Sequence, residues 1–173
     1  RETARMAQTG AYRIAHFPIT NSQYKLYRHL AGSEAETETE YQDNPDFNDP
    51  QQPLTGITPA QARAFCSWLS ALSEERVRLP SEEEWEKAAK AGANPIFPWG
   101  NEAPGNGQRA NYLGNPLYRS PSRAGSYTAG VNAWGLEDMA GNVWEIVTLV
   151  ASESDIPVYA AKGGSWMEGH NDL

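Results

Sequence analysis

Apolar positions recur at helical spacing in three places along the chain, and each run is announced by the same local signal. Thr20-Asn-Ser-Gln23 sets a hydroxyl and a side-chain amide three residues apart, so each can satisfy a main-chain N–H at the start of a helix. Behind it Tyr24, Tyr27, Leu30 and Ala31 share one face, and Gly32 supplies the stop. Thr58-Pro-Ala-Gln61 repeats the box with Pro59 at the first helical position, and Ala62, Phe65, Trp68, Leu69 and Leu72 form the stripe of a second helix. Ser81 and Glu84 open a third, whose Trp85, Ala88 and Ala89 face inward until Gly92. Glu82, Glu83 and Glu84 fill its first turn, where the helix dipole favours acids, which assigns them to structure rather than catalysis.

Alternation of period two is rarer. Ala11 to Phe17 alternates as a strand would, with Tyr12 and Ile14 on one face, and Val143 to Val150 and Pro157 to Lys162 read as two more strands. Ser33 to Pro53 carries Glu34, Glu36, Glu38, Glu40, Asp43, Asp46 and Asp49 with almost no aliphatics, the pattern of a solvated acidic loop. Ala93 to Gly130 is too rich in Pro, Gly and Asn for long regular elements, and loops of that length usually carry function or hold an ion.

Composition narrows the function. Fifteen Gly and twelve Pro in 173 residues predict more irregular than regular structure, within a single domain over 1–173. A net charge of −8 argues against nucleic acid or an anionic membrane surface as the main partner, and no apolar run is long enough for membrane insertion. One cysteine excludes an internal disulfide framework. With no signal-peptide pattern, it sets a cytoplasmic default. Cys66 lies next to the apolar stripe of the second helix and reads as a core thiol. No phosphate-cradling glycine loop, HExxH, paired-cysteine motif or nucleophile elbow is found, and His16, His29 and His170 are scattered.

The densest chemistry lies in Trp134-Gly-Leu-Glu-Asp-Met-Ala-Gly-Asn-Val-Trp144 and the following Glu145. Glycines and acids between two tryptophans predict a tight irregular loop, anchored by the aromatics and running into a strand. Such a loop turns carbonyls inward beside Asp138, Asn142 and Glu145, a donor set that suits calcium. It equally suits a loop tied down by its own hydrogen bonds.

Taken in order, several blocks resemble the formylglycine-generating-enzyme (sulfatase-modifying-factor) domain family. They are Pro18 to Tyr24, Ala62 to Leu69, Arg78 to Ala89, Pro98-Trp-Gly100, Ala110-Asn-Tyr112, Gly135 to Glu145 and Gly163-Gly-Ser-Trp166. The resemblance implies an α+β, C-type-lectin-like fold with two or three short helices, small twisted antiparallel sheets and much loop. It implies a structural calcium held by Asp138, the Gly141 and Val143 carbonyls and Glu145. A second site would begin at Asn111 and Tyr112, with no clear acidic counterpart between Gly114 and Tyr127. The family's catalytic branch uses two cysteines and copper. The matching positions here hold Glu168 and Leu173, so no copper is expected, and the sulfoxide-synthase relatives need a helical iron-binding domain not found in these residues. The family's first glycine-rich strand and closing Gly-Phe-Arg strand are likewise not among them.

These features together imply a non-catalytic ligand-recognition domain that binds a protein through Trp166, Met167, Glu168, His170, Asn171 and Asp172. Relatives of that kind include the variable proteins of diversity-generating retroelements, whose diversified positions follow this motif. The alternative is a metal-dependent, oxidase-type enzyme of the same family, using Glu168, His170 and Asp172 at alternate positions of one extended segment.

Overall fold

The computed structural model describes residues 9–32, 39–115, 117, 119–149, 157–169 and 173. Helices α1 (Asn21–Ala31), α2 (Pro59–Ser73) and α3 (Glu82–Lys90) stand where the capping boxes place them, and all three boxes close. A turn of 3-10 helix, Thr128–Gly130, precedes strands β1 (Glu145–Leu149) and β2 (Val158–Lys162), which pair antiparallel with Val147 opposite Ala160. β1 is shorter than the apolar run suggests, since its loop extends through Trp144; Val150 lies outside the described residues.

α1 packs on α2 through Tyr24, Tyr27 and Phe65, whose ring centroids lie 5.3–5.9 Å apart. This aromatic cluster fills the seam, so Leu30 and Leu72, expected inside, run past it and are 57% and 63% exposed. The second cluster joins α3 to the sheet: Trp85, Ala88 and Ala89 meet Leu136, Met139 and the fully buried Val147. Thr148 donates its N–H to the Pro80 carbonyl at 2.9 Å, which sets the start of α3 beside β1. The α3 acids are structural. Lys162 reaches Glu82 and Glu86 at 2.7 Å each, and Arg78 grips Glu84 through both terminal guanidinium nitrogens, holding that carboxyl below its ordinary pKa.

Two expectations change. Residues 11–15 alternate in burial like a strand, yet find no ladder partner among the described residues; Tyr12 donates its hydroxyl to the Glu84 carbonyl and Ile14 packs on the Trp85 cluster instead. The acidic segment is also not simply solvated. Over residues 39–53 it folds into turns whose carbonyls bind Asn21 and Gln52, with Gln52 buried and donating to the carbonyls of Asp46 and Pro121. Its carbonyls do most of this building in, and the Asp49 carboxylate adds a pair with Arg123 at 2.8 Å. Glu34, Glu36 and Glu38 lie outside the described residues.

Candidate functional site

The loop from Trp134 to Glu145 is irregular, as expected, and its backbone shows why. Gly135, Asp138, Gly141 and Asn142 all have positive φ, between 56° and 80°. Asp and Asn are the side-chain-bearing residues that tolerate this region best, which explains their presence between glycines. The tryptophans do not anchor the loop: Trp134 is 50% and Trp144 45% exposed. Leu136 and Met139 enter the core, and Asn132 and Asn142 do the tying.

Asn132 donates to the carbonyls of Ala88 and Ala89 and accepts the N–H groups of Trp134 and Leu136, fixing the loop's entry to the end of α3. Sequence reasoning passed over it. The available signal was an Asn two residues before a turn, a common acceptor for the turn's own N–H groups.

Asn142, fully buried, is the junction. Its N–H donates to the Asn111 carbonyl, its own carbonyl accepts from Trp166, and its side-chain oxygen accepts from the Ser122 amide at 2.9 Å. Gly141 donates to Gly163, and Leu113 donates to Glu168. Three distant stretches, 110–115, 141–143 and 163–168, are laced together this way. A Cβ on Gly141 would lie 2.3 Å from the Asn111 carbonyl oxygen, at a φ of 75°. Gly141→Ala is therefore expected to destabilise by about 2–4 kcal/mol, read from denaturant midpoints.

The two acids of the loop are buried and under electrostatic stress. Desolvation pushes the Asp138 carboxyl up to about 6, opposed by the Gly125 N–H at 2.8 Å and by Asn142. Burial pushes Glu145 up to about 7, with Asp138 adding repulsion. Trp85 partly offsets this rise, yet neither its indole nitrogen nor Glu145 Oε1 closes a hydrogen bond. The Gly141 and Val143 carbonyls accept no hydrogen bond from any described residue. Two desolvated carboxylates and two carbonyls without a hydrogen bond among the described residues are oxygen donors of the type calcium takes. Among the described residues no cluster of three His, Cys, Asp or Glu is poised for a metal, so an ion here would depend on those carbonyls.

The second expected site fares differently. The Tyr112 carbonyl is taken by the Asn115 N–H, and the Asn111 side-chain nitrogen donates to the Ser120 carbonyl. Asn111 Oδ1 alone is buried without a partner.

Trp166 is half-buried, its ring 6.3 Å from Phe47, which stacks on Tyr41. The Glu168 carboxylate accepts both the N–H and the hydroxyl of Ser165, locking the turn. That turn presents Met167 at 60% exposure beside Leu113 at 65%, a residue not singled out in the sequence. His170, Asn171 and Asp172 lie outside the described residues.

Short helices, one small sheet and long loops pinned by buried asparagines define a C-type-lectin-like protein of the formylglycine-generating-enzyme type. The chain belongs to the sulfatase-modifying factor enzyme 1-like domain family, whose model matches residues 2–173. It is 31% identical to a hercynine oxygenase of Mycolicibacterium thermoresistibile over 82% of this chain and 36% of that protein. It is 32% identical to the inactive C-alpha-formylglycine-generating enzyme 2 of Bos taurus, over 67% of this chain and 39% of that protein. The chain thus spans well under half the length of these relatives. The solved structure of Treponema denticola variable protein 1 superposes with a TM-score of 0.67 at 19% identity, covering 90% of this chain and 73% of that one.

Proposed function

We propose that this domain recognises a protein ligand through the surface formed by the Ser165–Glu168 turn and Leu113, and carries out no chemistry there. One observation carries the reading: residue 168, where the resemblance places a catalytic thiol, is a glutamate whose carboxylate is consumed in bracing its own turn. Cys66 lies in α2, where burial pushes its thiol pKa up and away from the reactive thiolate. The residue the turn displays is Met167, an adaptable apolar contact of the kind used on binding surfaces. Likeness to an inactive relative and to a variable protein supports the same direction.

Calcium belongs to this proposal as a structural ion, held by Asp138, Glu145 and the Gly141 and Val143 carbonyls. When bound it would supply positive charge to two carboxylates that burial otherwise drives toward protonation. The loop itself would be braced and the surface beyond Trp166 left free to vary.

In the diversified version of this reading, sequences of sibling genes vary most at exposed positions after Trp166 and scarcely at Asn111, Gly141 or Asn142. Uniform drift across the chain would sink that version. Similarity to hercynine oxygenases favours the enzymatic alternative. A redox-active metal retained through purification at one per chain would establish it over the recognition reading.

A further inference from the structure

The second calcium implied by the resemblance would lie between Asn111 and Tyr127, and this chain fills that ground with groups of its own. Calcium takes about six to eight oxygens, carboxylates among them. From Ala103 to Leu136 the sequence has no Asp or Glu. Two carboxylates reach Gly125 from the neighbouring loop: Asp138, already assigned to the first site, accepts its N–H at 2.8 Å, and a Cβ placed on Gly125 would collide with Glu137. Position 125, at a φ of 72°, is thereby closed to an acid of its own.

The carbonyls are engaged as well. Those of Asn111, Tyr112 and Tyr127 accept the N–H groups of Asn142, Asn115 and Gly130, each at 2.8 Å. Asn111 Oδ1 is the one buried side-chain oxygen left open here among the described residues. A single open oxygen falls far short of a coordination shell.

At the centre sits Asn115, buried and bonded in three directions. Its N–H holds the Tyr112 carbonyl, its Nδ2 donates to the Tyr127 hydroxyl at 2.7 Å, and its Oδ1 accepts the Leu117 N–H at 3.0 Å. Gly107 lies against the same side chain at a φ of 70°, where any Cβ would fall inside the Asn115 amide. Tyr112 completes the clasp by donating its hydroxyl to the Gly105 carbonyl. A side-chain amide both donates and accepts, so one short residue can join carbonyl, hydroxyl and N–H groups that an ion would have to gather as oxygens alone.

We propose that the clasp on Asn115 does in this chain the work of an ion, so that residues 105–115 and Tyr127 keep their places with no calcium of their own. Calcium then serves the Trp134–Glu145 loop alone. On the recognition reading, Leu113 stands between the pinned Tyr112 and Asn115, so this half of the surface is set by the chain itself and not by ion concentration.

Calcium titration and amide exchange on the chelator-stripped full chain test it, beside Glu145→Ala, which removes the loop site, and Asn115→Ala. At most one calcium is expected per chain and none in Glu145→Ala, with exchange at Gly107, Asn115 and Leu117 the same with and without the ion. Asn115→Ala is expected to speed exchange at Leu117 by about tenfold or more, whether or not calcium is present. Should that variant not fold, Tyr127→Phe removes only the hydroxyl that Asn115 binds and is expected to speed the same exchange to a smaller extent. Calcium bound by Glu145→Ala that slows exchange at those three amides would overturn the proposal. So would exchange at Leu117 unmoved by either substitution. A chain that binds no calcium at all would sink the loop site yet support the clasp, and a failed clasp would leave the recognition reading standing, since no partner enters the measurement.

Discussion

Asn142→Ala is expected to lower stability by about 3–5 kcal/mol, a drop in melting point of roughly 10 °C for a chain of this size. The side chain removed is fully buried and accepts the Ser122 N–H and hydroxyl while donating to the Ser122 carbonyl. Truncation leaves a buried main-chain donor with nothing to bind, which by itself costs about 1–3 kcal/mol. It also leaves an alanine at φ 64°, where only glycine, Asn and Asp are at ease. Asn142→Gly separates the two terms: it should recover about 1 kcal/mol of the loss by relieving backbone strain and none of the hydrogen bonds. A loss below about 1 kcal/mol in the alanine variant would show that the three laced stretches hold together without this junction.

Calcium is expected to raise the melting point by about 5–10 °C at a free concentration near one hundred times its dissociation constant. That follows from roughly 2.7 kcal/mol of linkage and about 2–4 °C per kcal/mol. The effect should disappear in Glu145→Ala. Without the ion the pH dependence runs in a definite direction. Asp138 and Glu145 titrate near 6 and 7 in the folded chain, above their ordinary 3.8 and 4.5. The native state therefore holds protons that the unfolded chain has released. The stability these protons confer is full below about pH 4 and is lost as pH rises through 6 to 7, at up to about 1.4 kcal/mol per unit for each group. Calcium should reverse this slope, because protons compete with it, so its stabilisation is largest above pH 7 and fades toward pH 5. A melting point indifferent to calcium at pH 7.5, together with no calcium in elemental analysis of the protein, would contradict the site.

The parts of the fold legible in the sequence are those built from short-range contacts. The three capping boxes involve partners three residues apart, and all three form where Thr20, Thr58 and Ser81 place them. The irregular Trp134–Glu145 loop was legible from its glycines and acids. What closes it was not, because Asn132 acts on Ala88 across 44 residues and Asn142 on Ser122 across 20. Periodicity overstated the core at Leu30 and Leu72, since an amphipathic stripe can continue beyond the surface that covers it. It also gave residues 11–17 a strand without showing that no described neighbour completes a ladder. At the surface the motif pointed to Trp166 and Met167, whereas Leu113 is tied to the same turn through the Leu113–Glu168 main-chain bond, which no spacing announces. The bond from the Ser165 N–H to the Glu168 carboxylate is likewise not announced by the motif.

The most direct test of recognition at this surface compares the chain with its Leu113→Glu/Met167→Glu variant as bait against extract of the cells that make it. Both side chains are exposed, so equal melting points should confirm that the fold is unchanged. The expected result is a protein retained by the unaltered chain and weakened at least tenfold by the double variant, with affinity then measured on the purified pair. An identical set of retained proteins, bound with equal affinity by both, would contradict a recognition surface at this turn.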